Sequence, residues 1–218
     1  MNYLGINFDS NLSWKSHIGK VSKKLSRTIG VMNKLRNYVP TYILRTLYNS
    51  LIFPHLNYGI LVWGNSANRL IKLQKRAIRV VANAKYNAHT QPLFRKLCLL
   101  SINDILKMQD LKFLYKLENE NLPAYFISDM FIRQSHFHNY STRNFNDFRV
   151  PRSQHIFALN SPRFRLPQVF NQCPQNVKDK IFTHSYFGYT RYIKHCMIEN
   201  YETVCSIRDC YICNRVQN

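Results

Sequence analysis

Acidic residues are what this sequence lacks most. Its 218 residues include 31 Lys and Arg but only 11 Asp and Glu, which leaves a net charge of +20. Asp9 and Asp104 bracket a stretch, Asn11–Asn103, that holds sixteen Lys and Arg and no acid. Carboxylates this sparse, with no Asp-Asp pair, exclude a centre in which aspartates hold two metal ions for phosphoryl or nucleotidyl transfer. Glycine is scarce as well. Six occur, none in a GxGxxG or GxxxxGK pattern, so there is no phosphate-cradling loop. A long hydrophobic run is also missing. The uncharged segment Thr46–Asn68 is interrupted by Asn49, Ser50, Pro54, His55, Asn57 and Gly59, whereas a spanning helix needs about 20 mostly apolar residues. Met1-Asn2-Tyr3-Leu4-Gly5 has neither the basic nor the long apolar part of a secretion signal. The expected location is therefore nucleus or cytoplasm, not outside the cell.

What the chain does have is positive charge in a pattern. A surplus of this size costs stability by self-repulsion unless an anionic partner screens it. Nucleic acid, an anionic membrane surface and an acidic protein all qualify. Basic helices with interspersed aromatics favour nucleic acid. Ser13 can cap a helix running to about Tyr38, with Ile18, Val21, Leu25, Ile29, Met32 and Leu35 on one face. Lys15, Lys20, Lys23, Lys24, Arg27, Lys34 and Arg36 cover much of the rest, and no acid is present to pair with them along the helix. Ala67–Ala84 predicts a second such helix, with Leu70, Leu73, Ala77, Val80 and Val81 inward and Arg69, Lys72, Lys75, Arg76 and Arg79 outward.

Other elements follow from local signals. Tyr3–Phe8 alternates as a short strand, and a lone strand needs a partner sheet. Pro40-Thr41 starts a helix through Leu51–Phe53 that Pro54 breaks or kinks. A further helical segment carries Leu56, Ile60 and Trp63. His55, Asn57 and Tyr58 read as core or helix-end hydrogen-bonding groups, since no partner acid or nucleophile lies nearby in sequence. Gln91–Leu97 predicts a short helix. Ser101-Ile102-Asn103-Asp104 resembles a capping box that opens a helix to about Asn119. Beyond residue 123 the periodicity weakens. Extended pieces are expected near Phe148–Val150 and Ile156–Leu159, helical turns over Arg163–Asn171 and Pro174–Lys180, and a last helix over Ser185–Tyr201.

Six cysteines are expected to be reduced thiols. Cys205, Cys210 and Cys213 with His195 offer four potential zinc ligands, yet only one short-spaced Cys-x2-Cys pair occurs, so these are weak candidates and no metal is expected.

Several segments together resemble one family. Tyr3-Leu4-Gly5-Ile6-x-Phe8-Asp9-x2-Leu12-Ser13-Trp14-x2-His17-Ile18 resembles the segment just after the palm in reverse transcriptases of jockey-like non-LTR retrotransposons. Leu47-Tyr48-x2-Leu51-Ile52-x-Pro54-His55-Leu56-x-Tyr58-Gly59-x2-Val62-Trp63-Gly64 is similar to the segment that follows there, Leu73-Gln74-x-Arg76-Ala77-Ile78-Arg79 to the next helix, and Leu117–Tyr125 to the end of that domain. Order and spacing agree over residues 3–125. Residues 140–195 resemble the family's tail more loosely, through Thr142-Arg143, Pro151-Arg152 and Pro167-x2-Phe170-Asn171-x2-Pro174.

The resemblance implies a truncated RNA-directed DNA polymerase, its palm upstream of Met1. Residues 1–12 would be a remnant strand and turn joining to the missing palm, 13–123 a helical thumb-like domain, and 124–218 a less regular α+β region. The expected fold class is mainly α. The parent polymerase would use Mg, but its catalytic aspartates are absent here, so the chain alone is expected to be inactive and to need no cofactor. Asp9 is not one of those aspartates. The implied task is to hold RNA or RNA–DNA primer–template duplex without sequence preference, through Lys15, Lys20, Lys23, Lys24, Arg27, Lys72, Lys75, Arg76 and Arg79. A stand-alone sequence-specific nucleic-acid-binding module, a membrane-surface protein and a non-functional transposon remnant are the rival readings.

Overall fold

The computed structural model describes residues 1–119, 122–123, 131–137, 140, 145–152, 154, 158 and 160–202. The fold is mainly helical, with one short two-stranded sheet at the N-terminus. The chain divides into two compact units, Met1–Ile105 with His195–Asn218, and Leu106–Lys194.

The first unit begins with a hairpin rather than the single strand that alternation predicts. Strands β1 (Asn2–Tyr3) and β2 (Ile6–Asn7) pair antiparallel, with Tyr3 opposite Ile6. Leu4 and Gly5 both take positive φ, 47° and 80°. Such a two-residue turn matches the twist of the strands it joins, and it supplies the partner that the strand needs.

Helix α1 (Lys15–Leu35) starts later than a Ser13 cap predicts. The Asp9 carboxylate accepts both the Ser13 backbone N–H, at 2.6 Å, and the Ser13 hydroxyl, at 2.5 Å. Those bonds also hold the Asp9 carboxyl below the usual carboxylate range. Trp14 then turns the chain at φ 61° before the helix begins. Helix α1 also ends at Leu35, short of Tyr38.

After Pro40 come α2 (Thr41–Leu51) and α3 (Phe53–Asn57), with Pro54 in the first turn of α3, where its missing N–H costs nothing. The segment expected to carry Leu56, Ile60 and Trp63 as one helix is split. Gly59 takes φ 63°, and α4 (Ile60–Trp63) starts afresh beyond it. A methyl group at Gly59 would collide with Ile6 Cδ1 of the hairpin. Tyr58 Oη donates to the Leu4 carbonyl at 2.5 Å, which anchors the same junction. Trp63, fully buried, donates its indole N–H to the Tyr58 carbonyl at 2.9 Å.

Helix α5 (Asn68–Val81) packs against α1, and their buried faces form the centre of this unit. In the middle of it sits Gln74, only 1% exposed. Its amide donates to the Tyr48 hydroxyl at 2.8 Å and to the Leu100 carbonyl at 2.9 Å, and its carbonyl accepts the Ile102 N–H at 2.8 Å. One side chain thereby joins α5 to α2 and to the chain that follows α6 (Gln91–Leu97) and opens α7 (Ile102–Glu118). Burial raises the Tyr48 phenol to about 12. Half of the capping box forms: Asp104 N–H donates to Ser101 Oγ at 3.3 Å, but the Asp104 carboxylate takes the Ser101 hydroxyl rather than its N–H. Tyr201 closes the unit, accepting Ser101 N–H at 2.9 Å and donating to the Asp104 carboxylate.

The second unit holds the remainder of α7, then α8 (Pro162–Gln172), α9 (Gln175–Thr183) and most of α10 (Tyr186–Glu199). Asp110, 1% exposed, is held by the Arg165 guanidinium through contacts of 2.8 and 3.0 Å. Arg133 forks onto Glu118 at 2.5 Å and lies over the ring of Phe148. The extended piece at Phe148 pairs with Arg133 as one isolated bridge. The piece expected at Ile156–Leu159 lies largely outside the described residues.

Replacing Gln74 by Leu strands the Leu100 carbonyl and the Ile102 N–H in the core. Unsatisfied buried groups cost about 1–3 kcal/mol each, so Gln74→Leu should lower the unfolding free energy by about 3 kcal/mol in urea titration. His17 sets a pH dependence. It is buried against the Trp63 ring, and burial, then Lys20, holds its imidazole below the ordinary value. The folded state binds its proton less readily than the unfolded chain, whose His titrates near about 6.5. Stability should therefore be full above that value and fall as pH is lowered below it, toward the depressed folded-state value. In His17→Gln the decline of the urea midpoint over that range should be shallower.

Candidate nucleic-acid interface

Helix geometry places five cations of α1 together. At about 100° per residue, Lys20, Lys23, Lys24, Arg27 and Lys34 fall within an arc of about 100°, roughly 21 Å long. The arc lies opposite Ile18, Val21, Leu25, Ile29 and Met32, which are buried, and all five cations are exposed. Lys15 stands off this arc near the start of the helix. Lys20 Nζ also donates to Asn7 Oδ1 at 2.9 Å, which fixes one end of the arc to the hairpin. Lys24 lies beside His55, and burial first and this charge second hold that imidazole below its ordinary range.

The same geometry groups Arg69, Lys72, Lys75, Arg76 and Arg79 on α5 within about 120°, opposite Leu70, Gln74, Ala77 and Ile78. Four of them are exposed. Arg79 is half-buried, and its Nε donates to the Ala88 carbonyl at 2.7 Å. Desolvation pulls its guanidinium below the usual arginine range. Arg79 thus fastens the loop after α5 as well as carrying charge.

That loop completes a groove. Helix α5 ends with Asn83 at φ 51°, Asn83 N–H on the Val80 carbonyl at 3.1 Å and Ala84 N–H on the Arg79 carbonyl at 2.9 Å. This is the paired pattern of a left-handed helix stop. It turns Lys85 and Tyr86 back beside the helix. The resulting open groove, about 850 Å³, is lined by Arg36, Arg76, Arg79, Lys85 and Tyr86 among others, and by no carboxylate. The structure thereby brings Arg76 and Arg79 together with Arg36 from the end of α1. Lys15, Lys20, Lys23, Lys24, Arg27, Lys72 and Lys75 do not line it. Arg36, read as part of the basic face of the first helix, enters the groove from just beyond the end of α1, while Lys85 and Tyr86 escape a reading based on helical faces because a loop brings them in. The one sequence signal for them is the helix-stop Asn83 followed by a cation and an aromatic.

The ion pairs formed among the described residues are Arg133–Glu118, Arg165–Asp110, Lys178–Asp147 and His195–Glu199. None uses a cation from Asn11–Asn103. The first three of these ion pairs lie in the second unit, whose cations still outnumber its acids, and the arcs of α1 and α5 have no carboxylate on them.

The described residues contain no group of three His, Cys, Asp or Glu able to hold a metal ion. Cys205, Cys210 and Cys213 lie outside the described residues, and His195 pairs with Glu199 at 3.2 Å. Among the described residues, no helix is long and apolar enough to cross a membrane.

Comparison with known proteins adds a second line of support. The chain is 29% identical over 109 residues to a probable RNA-directed DNA polymerase from transposon BS of Drosophila melanogaster, a match that covers 47% of this chain and 12% of that protein. It is 27% identical over 122 residues to the RNA-directed DNA polymerase from mobile element jockey of the same organism, covering 53% of this chain and 13% of that protein. The chain thus matches only about an eighth of the length of these relatives. No family model matches it, and no solved structure does. Together with the motifs of residues 3–125, these matches support a likeness to part of a jockey-like reverse transcriptase.

Proposed function

We propose that this chain is a portion of a non-LTR retrotransposon reverse transcriptase whose first unit holds primer–template duplex by its phosphates. The observation that carries the reading is the pair of exposed, acid-free cationic arcs on α1 and α5. A phosphate backbone attracts such a surface irrespective of base sequence. The relatives' names supply the nucleic-acid class, RNA and DNA together. Catalysis is assigned elsewhere in such a polymerase. The described residues do not fit a two-metal centre, because no three potential ligands gather and the buried Asp110 is committed to Arg165. No step of nucleotidyl transfer is therefore assigned to this chain.

Binding of a fluorescent RNA–DNA duplex should weaken steeply with salt, since each phosphate neutralised contributes about 0.7–0.9 to the log–log slope. Substituting Lys20, Lys23, Lys24 and Arg27 together by Gln should reduce that slope by roughly one for each phosphate left without its cation. The loss should be equal for duplexes of unrelated sequence. An unchanged slope in the quadruple variant, measured by anisotropy titration, would overturn the assignment to α1. Strong discrimination between sequences would favour a sequence-reading module instead.

A further inference from the structure

The groove at the end of α5 differs in kind from the two cationic arcs. An arc of lysines meets a row of phosphates; a concave site with an aromatic ring can also take a base. Tyr86 is 89% exposed, so its ring contributes little to the core. It is nevertheless positioned, because the left-handed stop at Asn83, the Arg79–Ala88 bond and the Ala88 N–H on the Lys85 carbonyl at 3.1 Å fasten the chain on both sides of it. Arg36, Arg76 and Lys85 border the same space, and no carboxylate opposes an anion there. The carboxamides of Asn33 and Asn87 also line it and offer both donors and acceptors to a base edge. An exposed ring on a fastened backbone beside guanidinium groups is a combination suited to an unpaired nucleotide, its base stacked and its phosphate forked by arginine. Within a duplex, bases are stacked on each other and their faces are closed to Tyr86.

We infer that the Arg36–Arg76–Lys85–Tyr86 groove binds an unpaired nucleotide, the single-stranded flank of a bound duplex. The inference rests on the duplex-holding reading above and specifies where duplex gives way to single strand. A base can stack on Tyr86 with little dependence on its identity, since every base has a π-face. The arginines hold the adjoining phosphate, and Arg79 keeps the loop in place.

The test compares a blunt RNA–DNA duplex with the same duplex carrying a four-nucleotide single-stranded overhang, by anisotropy at fixed salt. The full chain should bind the overhang duplex about tenfold more tightly, the size of one base–aromatic stack. Tyr86→Ala should remove that preference and leave blunt-duplex affinity unchanged, and Tyr86→Phe should retain it. Arg76→Gln should weaken the overhang duplex more than the blunt one. The Gln variant at Lys20, Lys23, Lys24 and Arg27 should lower both affinities and keep their ratio. Equal affinity of the wild-type chain for the two duplexes, or a preference surviving in Tyr86→Ala, overturns this inference alone. Absence of salt-dependent binding to either duplex overturns the duplex-holding reading with it. Circular dichroism and the urea midpoint of Tyr86→Ala should match wild type, because the ring is outside the core.

Discussion

The first unit depends on a buried amide. Gln74 lies in the face of α5 that meets the core, where a hydrocarbon would ordinarily be expected. Its three hydrogen bonds reach Tyr48 on α2, Leu100 in the turn before α7 and Ile102 at the first position of α7. The Ile102 N–H is a group that a helix start leaves without an intrahelical partner, and the Leu100 carbonyl is a buried acceptor just outside the helix. An apolar residue at position 74 could fill the space but not satisfy them. The amide therefore specifies which pieces meet, as well as helping to hold them. The cationic face of α5 inherits its orientation from this junction, since the opposite side of the same helix is pinned by it.

The likeness to reverse transcriptases runs through this architecture more than through the charges. Tyr48, Ile52, Leu56, Gly59, Trp63 and Gln74 all belong to the segments that carry the resemblance, and the structure uses them as core, turn and junction. Lys20, Lys23, Lys72, Lys75 and Lys85 lie outside the residues that carry the resemblance, and of the cations on the two arcs only Arg76 and Arg79 are among them. Such a division is what phosphate binding permits. A core residue answers to the shape of its neighbours, whereas a surface cation needs only to keep its sign within reach of a phosphate.

Much of this was legible in the residues, for identifiable reasons. The helices at Gln91–Leu97 and Ile102–Glu118 follow local rules, a proline in the first turn and a Ser101 cap, and local rules are read locally. The cationic faces of α1 and α5 follow from periodicity alone. What was illegible depended on competition or on distance. Ser13 has the chemistry of a cap and its oxygen takes a long contact, 3.5 Å, from the Lys15 N–H, but Trp14 turns at φ 61° between them and delays the helix. Tyr3–Phe8 alternates like a strand, yet positive φ at Leu4 and Gly5 folds it in two. Gln74 shares the helical spacing of Leu70 and Ala77, but what an amide does on that face shows only when its partners, 26 and 28 residues away, arrive. The groove has the same cause, because Arg36 and Lys85 converge only once α1 and α5 are packed.

The N-terminal hairpin depends on its seat. Two strands of two residues are far too short to persist alone. They gain support from Ile6 resting on the left-handed Gly59 and from Tyr58 reaching Leu4, a bond that closes a loop of 54 residues. Helix α1 packs chiefly on α5, so the ground the hairpin rests on is itself assembled from distant parts of the chain. A hairpin of this length keeps its shape through what it leans on, the corner between α3 and α4 on one side and Lys20 of α1 on the other.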